Sequence, residues 1–342
     1  MAAPLSILQV GAGLWGRDWA SLLARTRGIR LAGVVDAAPA ARTWVAETLA
    51  VPAFRTLGVA LVRVDCDAVL VIAPPAVHGP LVEEALAAGR HAIVEKPLAL
   101  DLGEARSIAD AADAAGRHVV VSQNYRFRRQ PRTLRRLVAD GGLGRLVGLR
   151  ISCRRDLRDT HFRRDWRGRM RHPYLLDMAI HHVDLIRMIS GREVEEVDAR
   201  SWPAPGGPFR GDPSVAALLT LAGGAIASYE GTWAAPFGWT SWNGDWELVG
   251  TRAQASWTGG LADALEGSVR VERDGVATRA VLARLPAVDR LGVLRDLERA
   301  IATGQPPECS ARDNLQSLAT VLALARSAEE RRAVRVSEIG GT

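Results

Sequence analysis

The first 122 residues alternate short apolar runs with stretches whose apolar positions recur every three to four residues. "LSILQV" (5–10), "RLAGVV" (30–35), "DAVLVI" (67–72), "HAIV" (91–94) and "HVVVS" (118–122) read as strands. Between them "LWGRDWASLLART", "APAARTWVAETLA", "AVHGPLVEEALAAG" and "DLGEARSIADAADAAG" read as helices, the mark of a parallel, doubly wound sheet.

After Gln123 the texture changes. A helix is predicted near 131–140, a strand over 145–155 and a helix over 172–191, "HPYLLDMAIHHVDLIRMISG". β-like runs follow at 193–202, 214–223, 225–233, 245–250, 253–258 and 268–273, separated by Gly and Pro. Helices near 287–303 and 310–330 either cover a sheet face or return to the first domain. The pattern predicts a first domain over 1–122 and, over 123–342, an α+β substrate-binding and oligomerisation domain with a large, mainly antiparallel open sheet.

The 172–191 helix is apolar almost all round, so its charged groups need partners. At about 100° per residue Asp177, His181 and Asp184 share one stripe about 60° wide, while His182 points elsewhere. His182 therefore reads as a packed, hydrogen-bonded side chain and Asp184 as a structural partner. A zinc site built on the stripe lacks further ligands with recognisable spacing, so no metal is expected.

Length and composition fit a two-domain globular protein: 342 residues, 48% hydrophobic and 24% charged. No apolar run reaches the roughly 18 to 20 residues of a membrane helix, and the amino terminus enters a strand without a basic signal region. With three scattered cysteines, these features predict a reduced, cytoplasmic protein without a membrane partner. The net charge of +6 comes from arginine, since Lys96 is the only lysine among 44 basic residues. With the arginines spread over both domains and no binding motif, no nucleic-acid partner is expected. A lone lysine amid such a bias marks a place where a compact ammonium does what a guanidinium cannot.

Candidate chemistry begins after the first strand, where Gly11, Gly13 and Gly16 form G-x-G-x-x-G at the head of a helix. Such glycines allow a tight turn and close approach of a pyrophosphate to the helix N-terminus. Asp36 ends the second strand 20 residues after Gly16, where a carboxylate accepts from ribose hydroxyls. It has no adjacent arginine, which favours NAD over NADP, and Arg42 is the nearest basic residue. "EKP" (95–97) follows the fifth strand and places Lys96 in the ligand crevice, with a proline suited to a cis bond.

G-x-G-x-x-G with Asp at the second strand end, "APPAVH" (73–78), "EKP", "QNYRF" (123–127) and D-x-x-x-H in a second-domain helix together resemble the glucose-fructose oxidoreductase and inositol dehydrogenase (Gfo/Idh/MocA) family. "WELVGTRAQASW" (246–257) and "TGQPPECSARDNL" (303–315) extend the likeness over nearly the whole chain. The resemblance implies a Rossmann domain, NAD, and oxidation of a sugar, inositol or related polyol hydroxyl or the reverse reduction. It implies Lys96, Asp177 and His181 as the catalytic set, His181 taking the hydroxyl proton, Lys96 stabilising the developing alkoxide, and Asp177 orienting the histidine or a neighbouring hydroxyl. It further implies a cofactor site of Gly11, Gly13, Leu14, Trp15, Gly16, Asp36, Ala73, Pro74, His78, Glu95, Lys96 and Asn124. Tyr125, Arg126 and Tyr174 are expected to join the catalytic residues at the substrate. Ala73 and Pro75 replace the threonine and asparagine frequent in the fourth-strand motif, and "RHPY" (171–174) replaces glycines before Asp177.

Other readings remain open. The same scaffold serves glycosidases that oxidise their substrate transiently, and a non-catalytic NAD-sensing protein would share its first domain. The arginine-rich stretch 154–172 is a solvated loop face or a clamp for an anionic substrate. Trp233, Trp239, Trp242 and Trp246 suit either a sugar-stacking pocket or a subunit interface, and a homodimer or homotetramer through the second-domain sheet is expected.

Overall fold

A computed structural model describes residues 3–158, 166–204, 207–258 and 267–340. The chain divides into two units, Met1–Ser122 with Val293–Leu315, and Gln123–Gly292 with Gln316–Thr342.

In chain order the first unit holds β1 (Leu5–Val10), α1 (Leu14–Arg25), β2 (Ile29–Val35), α2 (Pro39–Leu49), β3 (Ala53–Phe54), α3 (Leu57–Arg63), β4 (Ala68–Val71), α4 (His78–Ala87), β5 (His91–Val94), α5 (Leu102–Ala115) and β6 (Val119–Val121). The six strands form one parallel sheet in the order β3-β2-β1-β4-β5-β6. This is the Rossmann order, with its topological switch between β1 and β4, where doubly wound sheets bind ligands beyond the strands' carboxyl ends. β1 and β4 are buried throughout, which is why both read as continuous apolar runs. α5 shows how local sequence sets an element's ends: Asp101 accepts from the Glu104 amide at 2.9 Å as N-cap, and Gly116 closes the helix at φ +59°.

Residues 293–315, expected in the second domain, belong to the first unit. Val120 and Ser310 form an antiparallel bridge, His118 Nε2 lies 3.1 Å from the Ala300 carbonyl, and Arg312 pairs with Asp110 at 2.7 Å.

The second unit begins with α6 (Arg129–Ala139) and β7 (Leu146–Arg154); a π turn, Leu175–Ala179, then leads into α7 (Ile180–Ser190). Next come β8 (Val194–Trp202), β9 (Ser214–Leu221), β10 (Ile226–Thr232), β11 (Asp245–Gly250), β12 (Gln254–Thr258), β13 (Ser268–Arg273) and β14 (Val276–Arg279). α8 (Asp289–Thr303), which belongs to the first unit from Val293 on, and α9 (Ala311–Glu330), which belongs to the second from Gln316 on, precede the last strand, β15 (Val334–Arg335). Nine strands form a sheet in the order β14-β13-β12-β11-β7-β10-β9-β8-β15, antiparallel except where β10 runs parallel to β7. Alternating burial along β7 to β12 gives one core face, filled by Trp246, Trp257, Leu219 and Tyr229, and one outer face. All eleven residues of α7 are buried, so its polar side chains must find partners inside the unit. Among the described residues no helix is long and apolar enough to cross a membrane.

Candidate active site

The glycine turn after β1 has a separate physical reason for each glycine. Gly11 sits at φ +99°, and a Cβ there would fall 2.1 Å from the Ile72 carbonyl oxygen. A Cβ on Gly16 would fall 2.4 Å from the Gly11 oxygen, while one on Gly13 would meet no described atom within 4 Å. Gly13 is the N-cap of α1 without a side-chain cap, and the first turn carries no acidic residue. The opening N–H groups of α1 are therefore disposed toward an anion, and Leu14 and Trp15 stand exposed beside them. Asp36 braces this turn, accepting from the Ala12 amide at 2.8 Å with one oxygen and from the Ala38 amide at 2.8 Å with the other. Arg42 donates to the backbone carbonyls of Asp36 and Ala37, at 2.9 and 2.8 Å. The open space at Gly13, the uncapped helix head and the carboxylate at the end of β2 fit a dinucleotide.

Lys96 lies half-buried two residues beyond β5, and the Lys96–Pro97 bond is cis. Its neighbours brace this loop. Glu95, expected at the cofactor, accepts from the indole nitrogens of Trp15 at 3.0 Å and Trp19 at 2.9 Å. His78, also expected there, is fully buried: Nδ1 lies 3.0 Å from the Pro97 oxygen and Nε2 2.9 Å from the Ala73 oxygen, with its pKa pushed down by burial. It ties the loop after β4 to the loop after β5. Ala73 is half-buried and Pro74 exposed at that loop.

In the second unit Asp177 lies within the π turn and His181 in the first turn of α7, each 6% exposed. A π turn takes more residues per revolution than an α turn, so the stripe expected from a uniform helix is re-aimed at Asp177; such insertions recur at functional sites. Asp177 pairs with Arg167, Nε to Oδ2 at 3.0 Å. His181 Nδ1 lies 3.0 Å from the Gln123 side-chain oxygen, and Tyr125 stacks on the imidazole with centroids 4.3 Å apart and planes 8° from parallel.

Several residues expected at the ligands make contacts within the chain. Arg126, expected at the substrate, forms a buried bidentate pair with Asp184, both bonds at 2.6 Å, because a buried carboxylate on α7 needs a cation. Asn124, expected at the cofactor, donates to Asp289 at 2.7 Å. Tyr174, expected to reach the pocket, is fully buried, 3.0 Å from the Tyr229 hydroxyl and 3.4 Å from the Cys153 carbonyl. Tyr125, expected at the substrate, has its ring between His181 and Arg128, whose guanidinium lies 3.5 Å from the ring centroid. Burial pushes the Tyr125 hydroxyl up to about 12.

Asp184 is a structural partner, also accepting from Ser317 at 2.8 Å. His182 is packed, with Nδ1 2.8 Å from the Tyr229 hydroxyl and Nε2 3.2 Å from the Trp242 carbonyl. Burial lowers its pKa to about 4.

Trp233 and Trp246 are core residues rather than pocket walls, whereas Trp239 is half exposed and, with Trp242, flanks the Arg155 guanidinium at 5.7 and 4.8 Å. Among the described residues of the arginine-rich stretch, Arg154 and Arg155 donate to the carbonyls of Gly238 and Thr240, Arg158 pairs with Asp156, and Arg171 with Glu329. Residues 159–165 of that stretch lie outside the described residues. Gln123 and Arg167 carry no role in the sequence reading. Gln123 lies within the quoted junction motif, and Arg167 is masked there by seven similar neighbours.

Comparison with known proteins shows the family. Residues 5–123 match the model of an oxidoreductase family with an NAD-binding Rossmann fold, and residues 132–256 match the GFO/IDH/MocA C-terminal domain, together well over half of the chain. An uncharacterised protein of Sinorhizobium fredii is 27% identical over 97% of this chain and 96% of its own. Myo-inositol 2-dehydrogenase of Thermotoga maritima is 28% identical over 81% of this chain and 82% of its own. The crystal structure of aldose-aldose oxidoreductase from Caulobacter crescentus superposes with a TM-score of 0.86 at 23% identity, over 97% of this chain and 99% of that one. With an NAD-binding Rossmann unit, a mainly antiparallel second sheet and both family models matched in order, the chain belongs to the GFO/IDH/MocA family of oxidoreductases.

Proposed function

We propose that the protein is an NAD-dependent dehydrogenase or ketoreductase acting on a hydroxyl or ketone of a sugar, inositol or related polyol. The observation that carries this reading is the position of Lys96, the chain's only lysine, just past the carboxyl end of β5, in the sheet whose β1 carries the glycine turn. Bound NAD(H) supplies the two-electron redox partner for the substrate carbon. His181 accepts the proton of the reacting hydroxyl. The Lys96 ammonium donates to that oxygen and stabilises the negative charge it gains. Asp177, its charge balanced by Arg167, holds a neighbouring hydroxyl.

NAD is favoured over NADP because the Asp36 carboxylate repels a 2′-phosphate, and Arg42, the nearest cation, is turned to backbone carbonyls. A polyol substrate is supported by the name of the Thermotoga relative. Assembly as a homodimer or homotetramer through the outer face of the nine-stranded sheet is supported by exposed Leu218, Ile226 and Val249 on that face. Sedimentation of the purified chain tests it: a species of twice or four times the chain mass is expected, and a monomer contradicts it.

The enzymatic reading is tested by following NADH formation over a panel of inositols, aldoses and polyols. At least one substrate is expected to turn over with NAD, and Lys96→Ala is expected to lower kcat by about 10²- to 10³-fold. Undiminished turnover in the variant contradicts the role of Lys96.

A further inference from the structure

Gln123 and Tyr125 contact different parts of the His181 ring. At the ring's edge Nδ1 lies 3.0 Å from the Gln123 side-chain oxygen, and Gln123 is itself buried. An amide oxygen only accepts, so Nδ1 carries the proton and Nε2 carries the lone pair. Against the ring's face Tyr125 stacks within 8° of parallel. Arg128 lies over the same phenol ring and is anchored in turn by Asp289, at 2.7 and 2.6 Å, and by Asn243. The ring plane and the tautomer of His181 are therefore set by separate groups.

The adjacent histidine shows the opposite arrangement. His182 Nε2 faces the Trp242 carbonyl, which only accepts, so in the neutral ring that nitrogen carries the proton and Nδ1, 2.8 Å from the Tyr229 hydroxyl, carries the lone pair. Two chain neighbours thus hold opposite tautomers.

We propose that Gln123 is a positioning residue for the reaction: by accepting from Nδ1–H it fixes the His181 tautomer whose basic atom is Nε2. In the other tautomer Nε2 already carries a proton and cannot take one from a hydroxyl. The catalytic consequence rests on His181 being the base, whereas the tautomer itself does not.

The test is the nitrogen spectrum of the full chain, labelled with 15N-histidine and without cofactor, at a pH where the imidazoles are neutral. Gln123→Met removes the acceptor at similar length, and Gln123→Glu keeps one. The wild-type chain is expected to show His181 as Nδ1–H and His182 as Nε2–H. In the Met variant His181 is expected to move toward Nε2–H while His182 stays unchanged, and kcat to fall roughly 10- to 100-fold, the usual loss when an orienting partner of a working histidine is removed. KM for NAD is expected to stay unchanged, and the Glu variant to keep Nδ1–H. A wild-type His181 protonated on Nε2, or one that keeps Nδ1–H in the Met variant, overturns the proposal whatever the turnover. Undiminished turnover in His181→Ala overturns the base assignment and leaves the tautomer result standing.

Discussion

The two sides of α7 solve one problem differently. Toward residues 123–126 the helix presents His181 and Asp184, met by Gln123, Tyr125 and Arg126. Toward the sheet it presents His182, closed off by the Tyr229 hydroxyl and the Trp242 carbonyl. On the sheet side both ring nitrogens of the histidine are engaged by the core, so the group is structural. On the other side Asp184 is engaged by Arg126 and Ser317, while His181 meets the Gln123 oxygen at Nδ1, which makes Nε2 the basic atom of the neutral ring. Buried polarity alone therefore does not identify chemistry, and the two neutral rings hold their basic nitrogen at different positions, Nε2 in His181 and Nδ1 in His182.

The comparison breaks most visibly at Asp184. Asp184→Ala leaves the Arg126 guanidinium buried without its carboxylate, and denaturant unfolding is expected to show a loss of about 3–5 kcal/mol. The double variant Arg126→Met, Asp184→Leu is expected to recover most of that loss, which separates the cost of an orphaned charge from any need for the pair.

His182→Phe is the next largest. It strips a partner from the Trp242 carbonyl and the Tyr229 hydroxyl, and is expected to cost about 1–3 kcal/mol while kcat per folded molecule is retained. A fall in kcat without a fall in stability would place His182 in the chemistry.

Acidification sharpens the same contrast. The folded-state pKa of His182 is lowered from 6.5 to about 4, so between these values the unfolded chain binds a proton that the folded chain does not. Stability conferred by His182 is complete above about pH 6.5 and lost as pH falls toward 4, with a slope approaching 1.4 kcal/mol per pH unit, about the value of one differentially bound proton. Burial lowers His91 in the same direction, to about 4. Denaturant midpoints at a series of pH values should fall less steeply in His182→Phe than in the parent.

Ser317→Ala is the smallest change. It removes a donor to Asp184 at 2.8 Å and an acceptor for Arg187 at 2.7 Å, and is expected to cost about 1 kcal/mol with the active site untouched.

Much of the fold is legible because its signals are local. The strands at 5–10, 91–94, 245–250 and 268–273 have the bounds the pattern predicts. β3 and β15, two residues each, are too short to show a period, and the fully exposed β14 shows no apolar alternation. α3 is only seven residues long and follows β3 directly, so no strand-helix alternation marks it.

At the candidate site the helix stripe separates His182 from Asp177, His181 and Asp184, and a buried helix forces each charge to be accounted for. What the motifs do not disclose is distant partners: Asn124 meets Asp289, Tyr174 meets Tyr229, and Arg126 meets Asp184, each far off in the chain. A motif marks the neighbourhood of a ligand and is silent on which members face it and which brace it, as Glu95 and His78 do. The π turn that re-aims Asp177 is equally hidden, since its composition is that of any apolar helix.

His181 is proposed as the base of an NAD-linked oxidation. The most direct measurement is kcat per folded molecule for His181→Ala on a polyol that the parent turns over, with NAD binding followed in parallel by thermal shift. A fall of about 10²- to 10⁴-fold in kcat is expected, with NAD binding retained. A variant that binds NAD and turns the polyol over at the parental rate would contradict it.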